Sequence, residues 1–269
     1  MNHSCIKALC ALIPVRSWRK RSRDILLYGR WKELFIRREY YDGIFSLGEA
    51  CFVATSLKRA GLRSFSGPFD WVADSSFEKR VELLRLAFPG FFRRQDLKPT
   101  ERDAQYAEES SIPHAEYINK HTGLRHPHDF PFHGEFEQDY PDIAAKYERR
   151  CKRLIHLLNT CKRVLIVYGE TDIAPRSLEI DEVAGLLERL QTAYPASLDL
   201  LYLKRDASRD ASAITLVNHR GGSTQGNLYF ARYKGQDALE RAPRAKENNE
   251  RLRKALSLYL IVHFGLKRR

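Results

Sequence analysis

The stretch Tyr40-Tyr41-Asp42-Gly43-Ile44-Phe45-Ser46-Leu47-Gly48 decides the fold. Its aromatic and branched residues form a short β-rich run, and Gly48 ends it at a point where the backbone can turn sharply. Glu49 to Ala60 then carries good helix formers, with Ala50, Val53, Ala54 and Leu57 at helical spacing and Gly61 as a stop. The unit is therefore strand, glycine, helix, and Cys51 falls in the opening turn of that helix.

Outward from this unit, Leu62 to Trp71 is turn-rich and aromatic, and a helical pattern runs from Ser76 to Phe88 until Pro89-Gly90 breaks it. Residues 93 to 123 are polar and weakly periodic, which predicts a long loop or insertion. His126 to His133 is dense in histidine and aromatic residues. A strongly charged helix, about Tyr140 to Cys161, leads into Arg163-Val-Leu-Ile-Val-Tyr168, an apolar run that reads as a buried strand. The last third alternates: helix Ile180 to Ala193, strand Leu198 to Leu203, strand Ala213 to Asn218, a turn at Gly221-Gly222, strand Asn227 to Tyr233, and a closing helix from Glu247 to about Leu260. Helices and strands in this order predict an α/β (α+β) protein, a mixed central sheet covered by helices. One domain over 40–269 is expected, preceded by a basic appendage over 1–39 in which Asp24 to Arg38 has the spacing of an amphipathic helix.

With 269 residues and 43% apolar residues, the chain can bury a full core. The formal charge of +12 collects at the ends. Lys7, Arg16, Arg19, Lys20, Arg21 and Arg23 face no acid before Asp24, and the chain closes on Lys267-Arg268-Arg269. Solvated ends are the plain reading; an anionic surface reached through the termini is the functional one. No specific nucleic acid is expected, because no recognition motif accompanies the charge. The run Ile6 to Val15 is followed by basic residues and not by a small-residue cleavage site, so it does not read as a secretory signal. No run approaches the ~20 apolar residues that span a bilayer. Five cysteines without paired spacing point to a reducing compartment. Cytoplasmic residence, with peripheral membrane contact open, is the expectation.

Cys51 is the chemical focus. A helix N-terminus offers unsatisfied N–H groups and a positive dipole end, which stabilise a thiolate and a developing oxyanion. A helical cysteine is also a common core residue, so spacing alone leaves both readings open. The longer string extends the signal: Ser46-Leu-Gly48-x-x-Cys51-x-x-Ala54-x-x-Leu57-Lys-Arg-x-Gly61-Leu-Arg63, Ser66-Gly-Pro-Phe-Asp70-Trp71, His128-Asp129-Phe130 and Lys146-Tyr-x-Arg149-Arg150. Over roughly residues 40 to 205 it resembles a bacterial family of unknown function described as papain-like cysteine peptidases.

By that resemblance Cys51 is the nucleophile and His128 its base, in the chain order a papain-like site uses. The resemblance implies a hydrolase (peptidase or amidase) or an acyltransferase, and a peptide, amide or glycan-linked substrate. A non-catalytic protein that holds an anionic glycan or membrane on the same fold is the alternative. The residue that orients the base is open. Asp129 adjoins His128 but points to the other face of a regular strand, and Asp70 is either the orienter or a turn aspartate bonding its own backbone. Ser46, Gly48, Trp71, Arg149 and Arg150 are the candidate substrate contacts, the two arginines lying on a cationic helical ridge. His126 and His128, two apart, share one face of a strand if it is regular, but one segment makes a poor metal site. No metal and no cofactor are expected, and no nucleotide-binding glycine loop is present.

Overall fold

The computed structural model describes residues 3–14, 18–19, 22–23, 26, 38–49, 51–100, 114–132, 134–172, 174, 176–210, 214–221, 226–235 and 243–267. Helix α1 (His3–Ala11) precedes strand β1 (Glu39–Tyr41), and β2 (Gly43–Gly48) leads into α2 (Cys51–Ala60). Helix α3 (Phe77–Arg85), β3 (Leu97–Pro99), β4 (His114–Asn119), β5 (Arg125–Pro131) and α4 (Phe136–Thr160) follow. The chain continues through β6 (Arg163–Gly169), α5 (Ile180–Gln191), β7 (Ser197–Arg205), β8 (Thr215–Gly221), β9 (Asn227–Tyr233), α6 (Pro243–His263) and β10 (Phe264–Leu266).

A five-stranded mixed sheet in the order β2-β6-β7-β9-β8 forms the centre. Strands β2, β6, β7 and β9 are parallel, and β8 pairs antiparallel on the edge. Helices cover both faces, so the central strands are apolar on both sides: Val164 to Gly169 of β6 are all buried. On one face Phe45, Val164, Ile166, Tyr168, Leu200 and Tyr202 pack with Phe77 and Val81 of α3, Leu154 and Leu158 of α4, and Val183 and Leu187 of α5. On the other, Ile44, Leu165, Val167, Leu201 and Leu203 pack with Phe52, Val53 and Leu57 of α2 and with Leu252, Leu256 and Leu260 of α6. This strict alternation along each strand is the two-residue period of a pleated sheet read by two cores.

A smaller antiparallel sheet, β3-β4-β5, lies where a long loop was expected over 93–123; residues 97–99 and 114–119 of that span are strands. Strand β4 shows the burial pattern half, half, buried, repeated, which lacks the alternation that marks a strand in sequence. A two-stranded pair, β1 with β10, brings residues 39–41 beside 264–266. The amphipathic pattern of 24–38 lies almost wholly outside the described residues.

Candidate active site

Strand β2 ends at Gly48, whose φ of +108° suits glycine. A Cβ there would overlap the Arg80 guanidinium. The Gly48–Glu49 peptide is cis. The Ser46 hydroxyl is buried and accepts from the Gly48 amide at 3.1 Å. Cys51 follows as the first residue of α2, partly exposed, with no acidic side chain in the first turn. The thiol therefore sits at the carboxyl end of a parallel strand and at the positive end of a helix, where open α/β sheets bind ligands.

Two buried ionisable side chains hold this turn. Arg80 of α3 has no exposed surface and donates to four backbone carbonyls: Leu47 at 3.0 Å, Glu49 at 3.2 Å, Ser75 at 3.3 Å, and Asp74. Burial lowers its pKa from the ordinary guanidinium value, against the opposing pull of Tyr168, Glu49 and Asp74. Glu49, also fully buried, accepts from the amide and hydroxyl of Thr171 on Oε2, both at 3.0 Å. Its Oε1 is buried without a hydrogen-bond partner among the described residues, and burial raises the carboxyl pKa.

The motif residues converge in part. Asp70 accepts from Arg63 (Nε 2.9 Å, Nη2 2.6 Å) and from the Gly67 amide at 2.8 Å, so it closes its own turn. Burial raises its pKa, with Arg63 and Arg150 pulling the other way. The Arg63 guanidinium also lies 5.5 Å from the centre of the half-buried Trp71 ring. Asp129 pairs with Lys146 at 2.6 Å, with the Tyr147 hydroxyl, and with Nδ1 of His126 at 3.1 Å. Burial would raise its pKa, yet the bonds to His126 and Lys146 hold it far below the usual carboxylate range. Arg150 stacks 5.3 Å over the Tyr147 ring, whereas Arg149 is exposed.

His126 and His128 do not share a face. Between the pairs Ala115·Phe130 and Tyr117·His126 the β4 residue Glu116 stands opposite residues 127–129 of β5, a bulge that breaks the alternation. His126 is fully buried and its Nε2 has no hydrogen-bond partner among the described residues; His128 points outward. Packing around the His128 ring, then the charge of His114 with its ring 6.0 Å away, lowers the His128 pKa below that of a free imidazole. Asp129 thus bonds His126. Helix α2 packs chiefly on β2, β6 and α6, while β5 packs on β4 and α4, so Cys51 and His128 stand on elements that belong to different layers. His133 lies outside the described residues. No three His, Cys, Asp or Glu side chains gather as a metal site among the described residues.

Residues 42–202 match the family described as "Putative papain-like cysteine peptidase (DUF1796)". The chain belongs to this family. The matched segment runs from the end of β1 into β7 and includes Cys51, Asp70, His128 and Arg150, while β8 to β10 and α6 lie outside it. An uncharacterized protein, R408 of Acanthamoeba polyphaga mimivirus, is 30% identical over 156 residues, which is 54% of this chain and 68% of that protein. That relative is viral, so the bacterial setting expected from sequence has no support from it. No solved structure matches the chain.

Sequence reading missed Arg80 and Glu49. Arg80 had a legible signal: it follows Phe77 by three and precedes Val81 and Leu84, so a guanidinium sits on the apolar stripe of a helix. Cys151 of α4 has its thiol pushed up to about 12 by burial. It lines a cavity of about 620 Å³ between residues 87–93 and α4, on the sheet face opposite α2. No helix among the described residues is long and apolar enough to cross a membrane.

Proposed function

We propose that this member of the family is a cysteine-dependent hydrolase or acyltransferase acting on a peptide or other amide, with Cys51 as the nucleophile. The supporting observation is the position of its thiol: partly exposed, first in its helix, at the carboxyl end of a parallel strand. The positive end of a helix favours a thiolate, and N–H groups of a first turn can donate to the oxyanion of a tetrahedral intermediate. The buried Arg80 guanidinium below residues 47–49 adds positive potential beside the same turn. The thiolate attacks the carbonyl, the leaving amine departs as its nitrogen gains a proton, and water or a second acceptor then releases the acyl group from sulfur.

His128 is the imidazole that the family resemblance implies for these proton transfers. Cys51 carries the proposed chemistry, and the base is tested on its own. With p-nitrophenyl acetate as a generic acyl donor, the protein should release a burst of about one p-nitrophenolate per chain and gain an acetyl group on Cys51 by mass spectrometry. Cys51→Ala should abolish both. A burst that survives Cys51→Ala, or acetylation confined to other cysteines, contradicts the proposal. His128→Ala should lower turnover ~10²-fold or more if that imidazole moves the proton; an unchanged rate assigns the transfer elsewhere.

A further inference from the structure

Helix α1 uses two neighbouring stripes differently. Ile6 and Cys10, four apart, are buried at 4% and 2% exposure. Leu9 and Leu12, three apart, point outward at 53% and 79%, and Trp18 beyond them is 65% exposed. Arg19 ties the two parts into one surface, because its Nε donates to the Ile13 carbonyl at 3.0 Å. Trp18 and Arg19 therefore sit at the end of α1 that carries Leu12. Lys7 and Arg19 are exposed on the same segment, and its first 23 residues hold six Lys or Arg and no acid.

We infer that Leu9, Leu12 and Trp18, with Lys7 and Arg19 around them, form a docking surface for an anionic lipid bilayer. An interfacial helix inserts leucine and tryptophan at the headgroup boundary while its cations meet anionic headgroups. Each alternative occupant fails one part of this chemistry. A second copy would set its own Lys7 and Arg19 against those of the first, and a nucleic acid offers phosphates but no apolar phase to receive Leu9 and Leu12. A bilayer takes both. The opposite stripe, Ile6 and Cys10, is buried, so the outward side chains are the ones left to meet the bilayer.

The test uses the full chain with phosphatidylcholine vesicles, with and without phosphatidylglycerol. Co-sedimentation is expected with the anionic vesicles alone, weakening as salt is raised, with a blue shift of emission that Trp18→Phe removes. The variant Leu9→Ser/Leu12→Ser changes exposed side chains only, so it should keep the fold by circular dichroism while binding falls about tenfold or more. Lys7→Glu/Arg19→Glu should do the same. Equal binding to neutral vesicles, or binding untouched by Leu9→Ser/Leu12→Ser, overturns the proposal. So does a dimer in solution that Leu9→Ser/Leu12→Ser dissolves, or a nucleic-acid affinity that tracks the cations and ignores the leucines.

Discussion

Arg80 shows why the turn before Cys51 has the shape it has. Its guanidinium satisfies the carbonyls of Leu47 and Glu49 on one side and of Asp74 and Ser75 on the other, so one side chain fixes both the strand end and the loop that faces it. Asp74 and Ser75 adopt φ values of +53° and +68°, and the Arg80 bonds help hold that irregular backbone. Replacing Arg80 by Met removes the donors but leaves the buried carbonyls. Urea unfolding should then show a loss of about 3–5 kcal/mol. An Arg80→Met protein within 1 kcal/mol of the wild type would mean that the carbonyls find other partners. Gly48→Ala belongs to the same site, since a Cβ would meet the guanidinium and φ is positive. Glu49 adds the second constraint by pinning Thr171, two residues beyond the end of β6, to the same turn.

At the scale of elements, β5 and α4 are joined through Asp129, His126, Tyr147 and Lys146. Because the Asp129 pKa is depressed below the unfolded value of about 3.9, its contribution is fully present above that value. It is lost as pH falls toward the folded pKa. Asp129→Asn should therefore cost about 2–3 kcal/mol at neutral pH, and the gap to wild type should narrow as the pH drops below ~4. Chemical denaturation across pH measures this; a gap independent of pH contradicts the ionised pairing. Much of this level was legible beforehand. The run of 40–60 gives strand, turn and helix because apolar periodicity switches from two to about 3.6 at Gly48, and 163–168 reads as a buried strand from its unbroken apolar run. The small sheet was hidden, because β3 has three residues and β4 lacks alternation. The bulge in β5 was hidden too: it puts His126 and His128 on different faces, so that Asp129 bonds His126 while His128 faces outward.

For the whole molecule, two cores share one sheet, and the second needs α6, which comes from the end of the chain. Pairing of β1 with β10 and packing of α2 on α6 tie residues 39–60 to residues 252–266. We propose that 40–269 is the single domain and that the segment matched by the family, 42–202, is less than a folding unit. A 42–202 fragment should lack cooperative unfolding by calorimetry, while the full chain shows it; a fragment with its own sharp transition contradicts that domain. The same intact molecule carries its own controls for the central claim, because Cys51 lies at the carboxyl edge and Cys151 is suppressed by burial. The direct measurement is site-resolved iodoacetamide alkylation of the full chain between pH 6 and pH 8, read by mass spectrometry on each cysteine. Cys51 should react fastest, retain its reactivity at pH 6, and outpace Cys151 by about tenfold or more; a Cys51 no faster than Cys151 would contradict a nucleophile at this position.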